Sequence, residues 1–165
     1  MADLLHRTGV VCRIVDDRWA AVEHHRIREE VFVREQRLFP RSDRDARDDD
    51  PATIKVLGLR DGVPGGAVRL YPLDGDELWQ GDRLAVLVGA RGHGLGVPLV
   101  RFAVATAAGR GGHRMGAHIQ PGNVAFFQRL GWHVCGDEEI YVGVPHVPMA
   151  IDFPPGTRAR SRPRC

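Results

Sequence analysis

A chain of 165 residues is sized for one domain with a core of its own, and 43% hydrophobic content is ordinary for a soluble globular protein. No apolar run approaches the ~20 residues of a membrane span, and the N-terminus lacks the charged-then-apolar layout of a secretory signal, so a cytoplasmic protein with no membrane partner is expected. The formal charge of +2 comes from the tail, where Arg158, Arg160, Arg162 and Arg164 stand without an acid or an aromatic residue, a weak footprint for nucleic acid, and no nucleic-acid partner is expected.

In chain order, "VVCRIV" (Val10–Val15) is short and rich in β-branched residues and predicts a first strand. From Trp19 to Arg37 the apolar residues Ala20, Ile27, Val31 and Leu38 recur at helical spacing. "FPRSDRDARDDDP" then breaks all periodicity and predicts a loop. Its carboxylates either attract a cationic amine or, balanced by Arg41, Arg44 and Arg47, solvate a surface. It lacks the glycine and glutamate of a calcium loop, and no metal is expected.

"IKVLGLR" and "GGAVRLYPL" predict two strands joined through the turn-rich "DGVPG", and "LWQGDRLAVLV" a fourth. Leu95, Leu99, Phe102, Ala103 and Thr106 mark a helix ending near Gly109, with Pro98 tolerated in its first turn. "RMGAHI" predicts a strand, "NVAFFQRLGW" a short helix stopping at Gly131, and "EEIYVGV" and "PMAIDF" the last two strands. The order β-α-β-β-β-α-β-α-β-β implies an α/β (α+β) fold with a mixed, mostly antiparallel sheet of six to seven strands flanked by helices. One domain over residues 1–154 and a disordered Arg-rich tail over 155–165 are expected. Cys12, Cys135 and Cys165 have neither metal-ligand spacing nor a disulfide framework.

The stretch "RGHGLG" (Arg91–Gly96) lies between a strand and a helix. It has no Gly-Lys-Ser/Thr, which excludes a P-loop, and its glycines run G-x-G-x-G with no acid about 20 residues on, which excludes a dinucleotide fingerprint. What remains is a set of backbone N–H groups at a helix N-terminus, able to hold an anion, with Arg91 adding charge.

"LAVLVGARGHGLG" resembles the acetyl-CoA segment of the GCN5-related N-acetyltransferases (GNAT), and "NVAFFQRLGW" is similar to their Asn…Phe-Tyr-x-x-x-Gly-Phe segment. The resemblance runs from Val10 to Phe153. "REEVFVREQRLFPRSDRD", "VRLYP", "RLAV" and "GVPHVPMAID" resemble ElaA-type acetyltransferases, and more closely an acetyltransferase-like domain encoded beside bacterial nitrilases. The early Arg-x-x-x-Phe and the aspartate loop are also similar to acyl-homoserine-lactone synthases.

The resemblance implies a GNAT fold, acetyl-CoA as co-substrate, a small-molecule amine as acceptor, and a monomer or homodimer. It implies that the backbone of Leu84, Ala85 and Val86 pairs with the pantetheine arm. It further implies that Gly92, His93, Gly94, Leu95, Gly96 and Val97 offer amides to the pyrophosphate, with Arg91 alongside. Asn123 matches the family asparagine or caps the helix that starts there. The family's tyrosine acid falls on Phe127, which has no proton to give.

Candidate replacement proton carriers are His146, flanked by Pro145 and Pro148, then His118, and Glu35 near the end of the first helix; the histidines read equally as structural groups and Glu35 as a solvated helix charge. Arg69 and Arg83 stand in otherwise apolar strands. They face a substrate anion or partner the aspartate loop. Two other readings stay open: transfer from another acyl thioester, and acyl-CoA binding without catalysis, which Phe127 favours.

Overall fold

Alternating side chains along β2 (Ile54–Arg60) and β3 (Val63–Pro72) are buried on both faces, so this antiparallel pair needs a cover on each side. The structure is a computed structural model that describes residues 9–75 and 77–153. The expected tail lies outside the described residues.

On one face, α1 (Arg18–Arg28) supplies Ala20 and Ile27, which pack with Val31 and Phe32 on Leu57, Leu59, Ala67 and Ala85. On the other, α2 (Gly96–Gly109) lays Leu99, Val100, Ala103 and Ala107 over Ile54, Val56, Val68 and Leu70. Asp17 caps α1 by accepting the Ala20 N–H at 2.7 Å. The helix expected to Arg37 changes winding after Arg28 and continues as a π-helix over Glu29–Glu35, closed by the Gln36 N–H on Val31 O at 2.9 Å. π-Helical turns of this kind are often found at functional sites.

The remaining strands are β1 (Val10–Ile14), β4 (Leu78–Val86), β5 (Arg114–Ile119), β6 (His133–Val134), β7 (Glu139–Tyr141) and β8 (Val144–Asp152). The sheet runs β1-β2-β3-β4-β5-β8-β6 with β7 also on β8, making eight strands among the described residues. Among the described residues only β4 and β5 are parallel; every other pairing is antiparallel. The strand beyond the expected seven is the two-residue β6 after α3 (Val124–Arg129).

The last strand begins at Val144 instead of Pro148, because Val142 (φ 47°) and Gly143 (φ 79°) close a two-residue turn between β7 and β8. His146 therefore sits inside a strand. A β-branched residue in the left-handed region is strained, and two-residue hairpin turns with two positive φ angles favour Asn-Gly. Val142→Asn should relieve about 1 kcal/mol and raise the Tm by roughly 2–4 °C. A Tm at or below that of the parent in a thermal scan would contradict the strain.

Candidate active site

β4 and β5 pair only through Leu78–Gln80 and Arg114–Gly116, and beyond Gln80 the two strands separate. The gap is a cleft walled by Gly81 and Leu84 from β4 and by Ala117 and His118 from β5. The π-helical segment and the chain after it contribute Phe32, Gln36 and Phe39.

Two local devices shape the β4 wall. Pairing with β3 slips between Arg69↔Asp82 and Ala67↔Ala85, so Arg83 and Leu84 together oppose Val68. Arg83 takes the left-handed conformation (φ 52°) at this bulge. Its guanidinium is held by Asp43 O at 3.1 Å and Asp43 Oδ2 at 3.2 Å, and lies 4.7 Å over the Phe39 ring. Further on, the Leu87 N–H donates to Gly65 O at 2.9 Å, so alternation turns the N–H and C=O of Val86 away from β3. The Val86 carbonyl accepts from Arg91 Nε at 3.1 Å.

The glycine loop opens beside this edge. Gly92 (φ 86°) and Gly94 (φ 75°) occupy backbone conformations that side chains rarely adopt. The Arg91 N–H is bonded to Leu87 O and the His93 N–H to Ala90 O, both at 3.1 Å. His93 was expected to offer an amide and instead spends it closing the loop. Gly94, Leu95, Gly96 and Val97 precede the first N–H of α2 that finds an intrahelical carbonyl, Leu99 to Leu95 at 3.1 Å. Leu95 is buried and pins the loop. The close approach of this loop and α2 requires glycine in β3: a Cβ on Gly65 would lie 2.9 Å from Leu95 Cδ1 and 2.8 Å from Ala90 Cβ, and one on Gly66 2.6 Å from Leu99 Cδ1.

Across the cleft, the adjacent β5, β8 and β7 gather four polar side chains. His118 Nδ1 lies 2.9 Å from Glu139 Oε1, and its ring stacks on Tyr141 with centroids 4.5 Å apart. His146 meets the same tyrosine edge-on at 5.3 Å. Its Nδ1 is 3.0 Å from Val144 O; a carbonyl accepts only, so that nitrogen carries the proton and Nε2 is left basic. His118, Tyr141 and His146 all line the cleft. Tyr141 and Glu139 escaped the sequence reading, although their i, i+2 spacing in "EEIY" places them on one face of a strand. Phe127 is buried edge-on against Trp132 at 5.2 Å, and Asn123 lines the cleft with no side-chain bond capping α3.

Three expected site residues, Arg69, Arg83 and Glu35, have their charge taken up by other side chains. Arg69 does not face a substrate: fully buried, it binds Asp82 through two 2.7 Å bonds and reaches Asp45 at 2.7 Å and Asp48 at 3.1 Å. Strand alternation turns it toward the α1 face, where Arg28 also binds Asp43 at 2.7 Å and Asp48 at 2.6 Å. The aspartate loop is thus the counter-charge of Arg28, Arg69 and Arg83, and not a lure for a cation. Burial works to raise the Asp48 carboxyl, but hydrogen bonds from Arg28 and the charges around it hold it well below the usual carboxylate range.

Arg83 keeps a place in the cleft wall with its charge already paired. Glu35 lies outside the cleft lining and pairs with Arg91 at 2.7 Å, so each offsets the other's charge. Two further histidines stay out of the proton traffic: burial pushes His24 down to about 3, and burial with the Lys55 charge pushes His25 down to about 4.

Among the described residues no helix is long and apolar enough to cross a membrane, and no group of three His, Cys, Asp or Glu is arranged to hold a metal ion.

The central parallel pair thus splits beside an amide cluster at the start of a helix. The chain belongs to the Acetyltransferase (GNAT) family, whose model matches residues 19–132. It is 30% identical over 127 residues to the uncharacterized N-acetyltransferase YjcF of Bacillus subtilis (strain 168), spanning 76% of this chain and 88% of that protein. Among solved structures it is similar to an acyl-CoA N-acyltransferase from Pseudomonas aeruginosa, at 25% identity and TM-score 0.73 over 86% of this chain and 97% of that one. It also shares its fold with Escherichia coli ElaA, at 21% identity and TM-score 0.75 over 86% and 98% of the two chains.

Proposed function

We propose that this chain transfers an acyl group from coenzyme A, with acetyl-CoA as the reference donor, to the amine of a small metabolite. The observation that carries the reading is the open edge of β4 at Val86 running directly into the amides of Gly94–Val97. An extended pantetheine adds to such an edge as a further strand, and its pyrophosphate meets the helix N-terminus, where N–H groups and the helix dipole favour negative charge. The N–H of Val86 can polarise the thioester carbonyl and stabilise the oxyanion formed when the amine attacks.

The amine arrives protonated and must lose a proton before attack; the departing thiolate gains one. His146, with Nε2 unprotonated, is the proposed base, and His118 beside Glu139 the second candidate. With Phe127 lacking a hydroxyl, Tyr141 is the phenol in the cleft lining that could return a proton to the thiolate. Of the cleft-lining side chains only Asp82 carries a carboxylate, and Arg69 holds it. The proposed acceptor is therefore an amine on an apolar or aromatic body, not a polycation. Thiol release from acetyl-CoA with a panel of such amines tests the reading. Tight thioester binding with no release across the panel would favour the binding-only alternative, which Phe127 supports.

A further inference from the structure

We propose that the donor's acyl group is longer than acetyl, and that its chain occupies an apolar chamber passing through the sheet between β4 and β5. The inference rests on the thioester reading above and adds the class of donor.

Phe32 belongs to the core layer on the α1 face, whereas Val100 and Ala103 belong to the α2 layer on the opposite face. An unbroken sheet keeps such layers apart. Here all three line one cavity, because β4 and β5 stop pairing after Gln80 and Gly116. The inner end is formed by the buried apolar side chains of Val100, Ala103, Met115 and Phe127 with Leu84 and Ala117, and beside Phe127 the Trp132 indole adds a buried Nε1 without a hydrogen-bond partner. The polar groups collect at the outer end, where Gln120 donates to Gln36 at 3.0 Å and the two histidines meet Tyr141. This segregation gives the amine and its proton carriers one end and a hydrocarbon the other.

Size points the same way. The cavity holds about 130 Å³, close to the roughly 150 Å³ apolar cavity that accommodates a benzene. An acetyl methyl fills a small part of it; a short chain of a few carbons, together with the reacting amine at the polar end, fills it. The wall is kept open by small side chains, Ala103 on α2 and Ala117 on β5. Phe127 fits the same account, since a phenol at that position would bring a hydroxyl into a chamber built for hydrocarbon.

Calorimetric titration of the whole chain with CoA and with acetyl-, butyryl-, isovaleryl- and hexanoyl-CoA, without acceptor, tests the proposal. Affinity should rise about fourfold per added methylene until the chamber is full. Ala117→Val, a residue suited to a strand, and Ala103→Leu, one suited to a helix, should each shift the preferred length downward and weaken hexanoyl-CoA more than acetyl-CoA. A series that is flat or falls from acetyl-CoA onward overturns the acyl chamber and leaves the thioester reading in place. Failure of every thioester and of CoA itself to bind overturns both.

Discussion

Arg69→Met should cost about 3–5 kcal/mol of unfolding free energy, or prevent folding outright. The guanidinium is fully buried and joins three carboxylates, Asp82, Asp45 and Asp48, from two separate parts of the chain. Methionine is close in volume but stops short of the guanidinium position and restores none of the charge, so Asp82 and Asp48 are left buried beside fewer donors. Desolvated carboxylates without partners dominate the loss; missing packing adds less. Adding Asp82→Asn to Arg69→Met should restore part of the stability, because one uncompensated charge is gone. Urea unfolding at neutral pH measures both. A loss under about 1 kcal/mol for Arg69→Met would mean that the network behaves like exposed ion pairs.

The second large effect is on turnover. His146→Ala should lower kcat by roughly 10²–10⁴-fold while the thioester still binds. His146 is 5% exposed, lines the cleft, and has its tautomer set by Val144 O. Pro145 and Pro148 restrict the strand that carries it. A structural role would move stability and leave the pH–rate profile alone; loss of a proton carrier removes a limb of that profile. His118→Ala separates the two histidines. If His118 is the base, its variant and Glu139→Gln both alter the profile, since Glu139 sits 2.9 Å from Nδ1. Wild-type kcat and profile in His146→Ala would return that residue to the wall of the cleft.

Most of the fold was legible because its signals are local. The short apolar run "IKVLGLR" bounded by turn residues and the glycines of "RGHGLG" each determine their own surroundings, and the expected helix from Leu95 to Gly109 agrees with α2 within a residue. What the residues alone did not reveal is long-range partnership. Arg69 and Arg83 both carry a charge into an apolar strand, and nothing local says that Asp45, Asp48 and Asp82 await one of them. Glu35 looked available at the end of a helix until Arg91, 56 residues away, paired with it. Tyr141 was hidden for a different reason. Val142 at φ 47° is an unusual residue for the turn it forms, so "EEIYVGV" was read as a strand running through the turn, and the hairpin that swings Tyr141 over His118 and His146 was missed. The glycine pair Gly65–Gly66 was present in the sequence as a clue to helix approach, but the clearance it provides for Leu99 and Ala90 depends on the fold.

The claim that the Gly94–Val97 amides receive the pyrophosphate is tested most directly by calorimetric titration of CoA into the parent chain and into Gly96→Val. Gly96 is the first residue of α2, and a Cβ there would lie 3.4 Å from the nearest Phe126 atom, so a side chain enters the amide face with little demand on the core. Gly94→Val is a poorer probe, because φ 75° would strain the loop itself. The account predicts parent binding that weakens with salt, and a loss of at least about tenfold, or 1.4 kcal/mol, in Gly96→Val with an unchanged circular dichroism spectrum. Undiminished CoA affinity in the folded variant would contradict it.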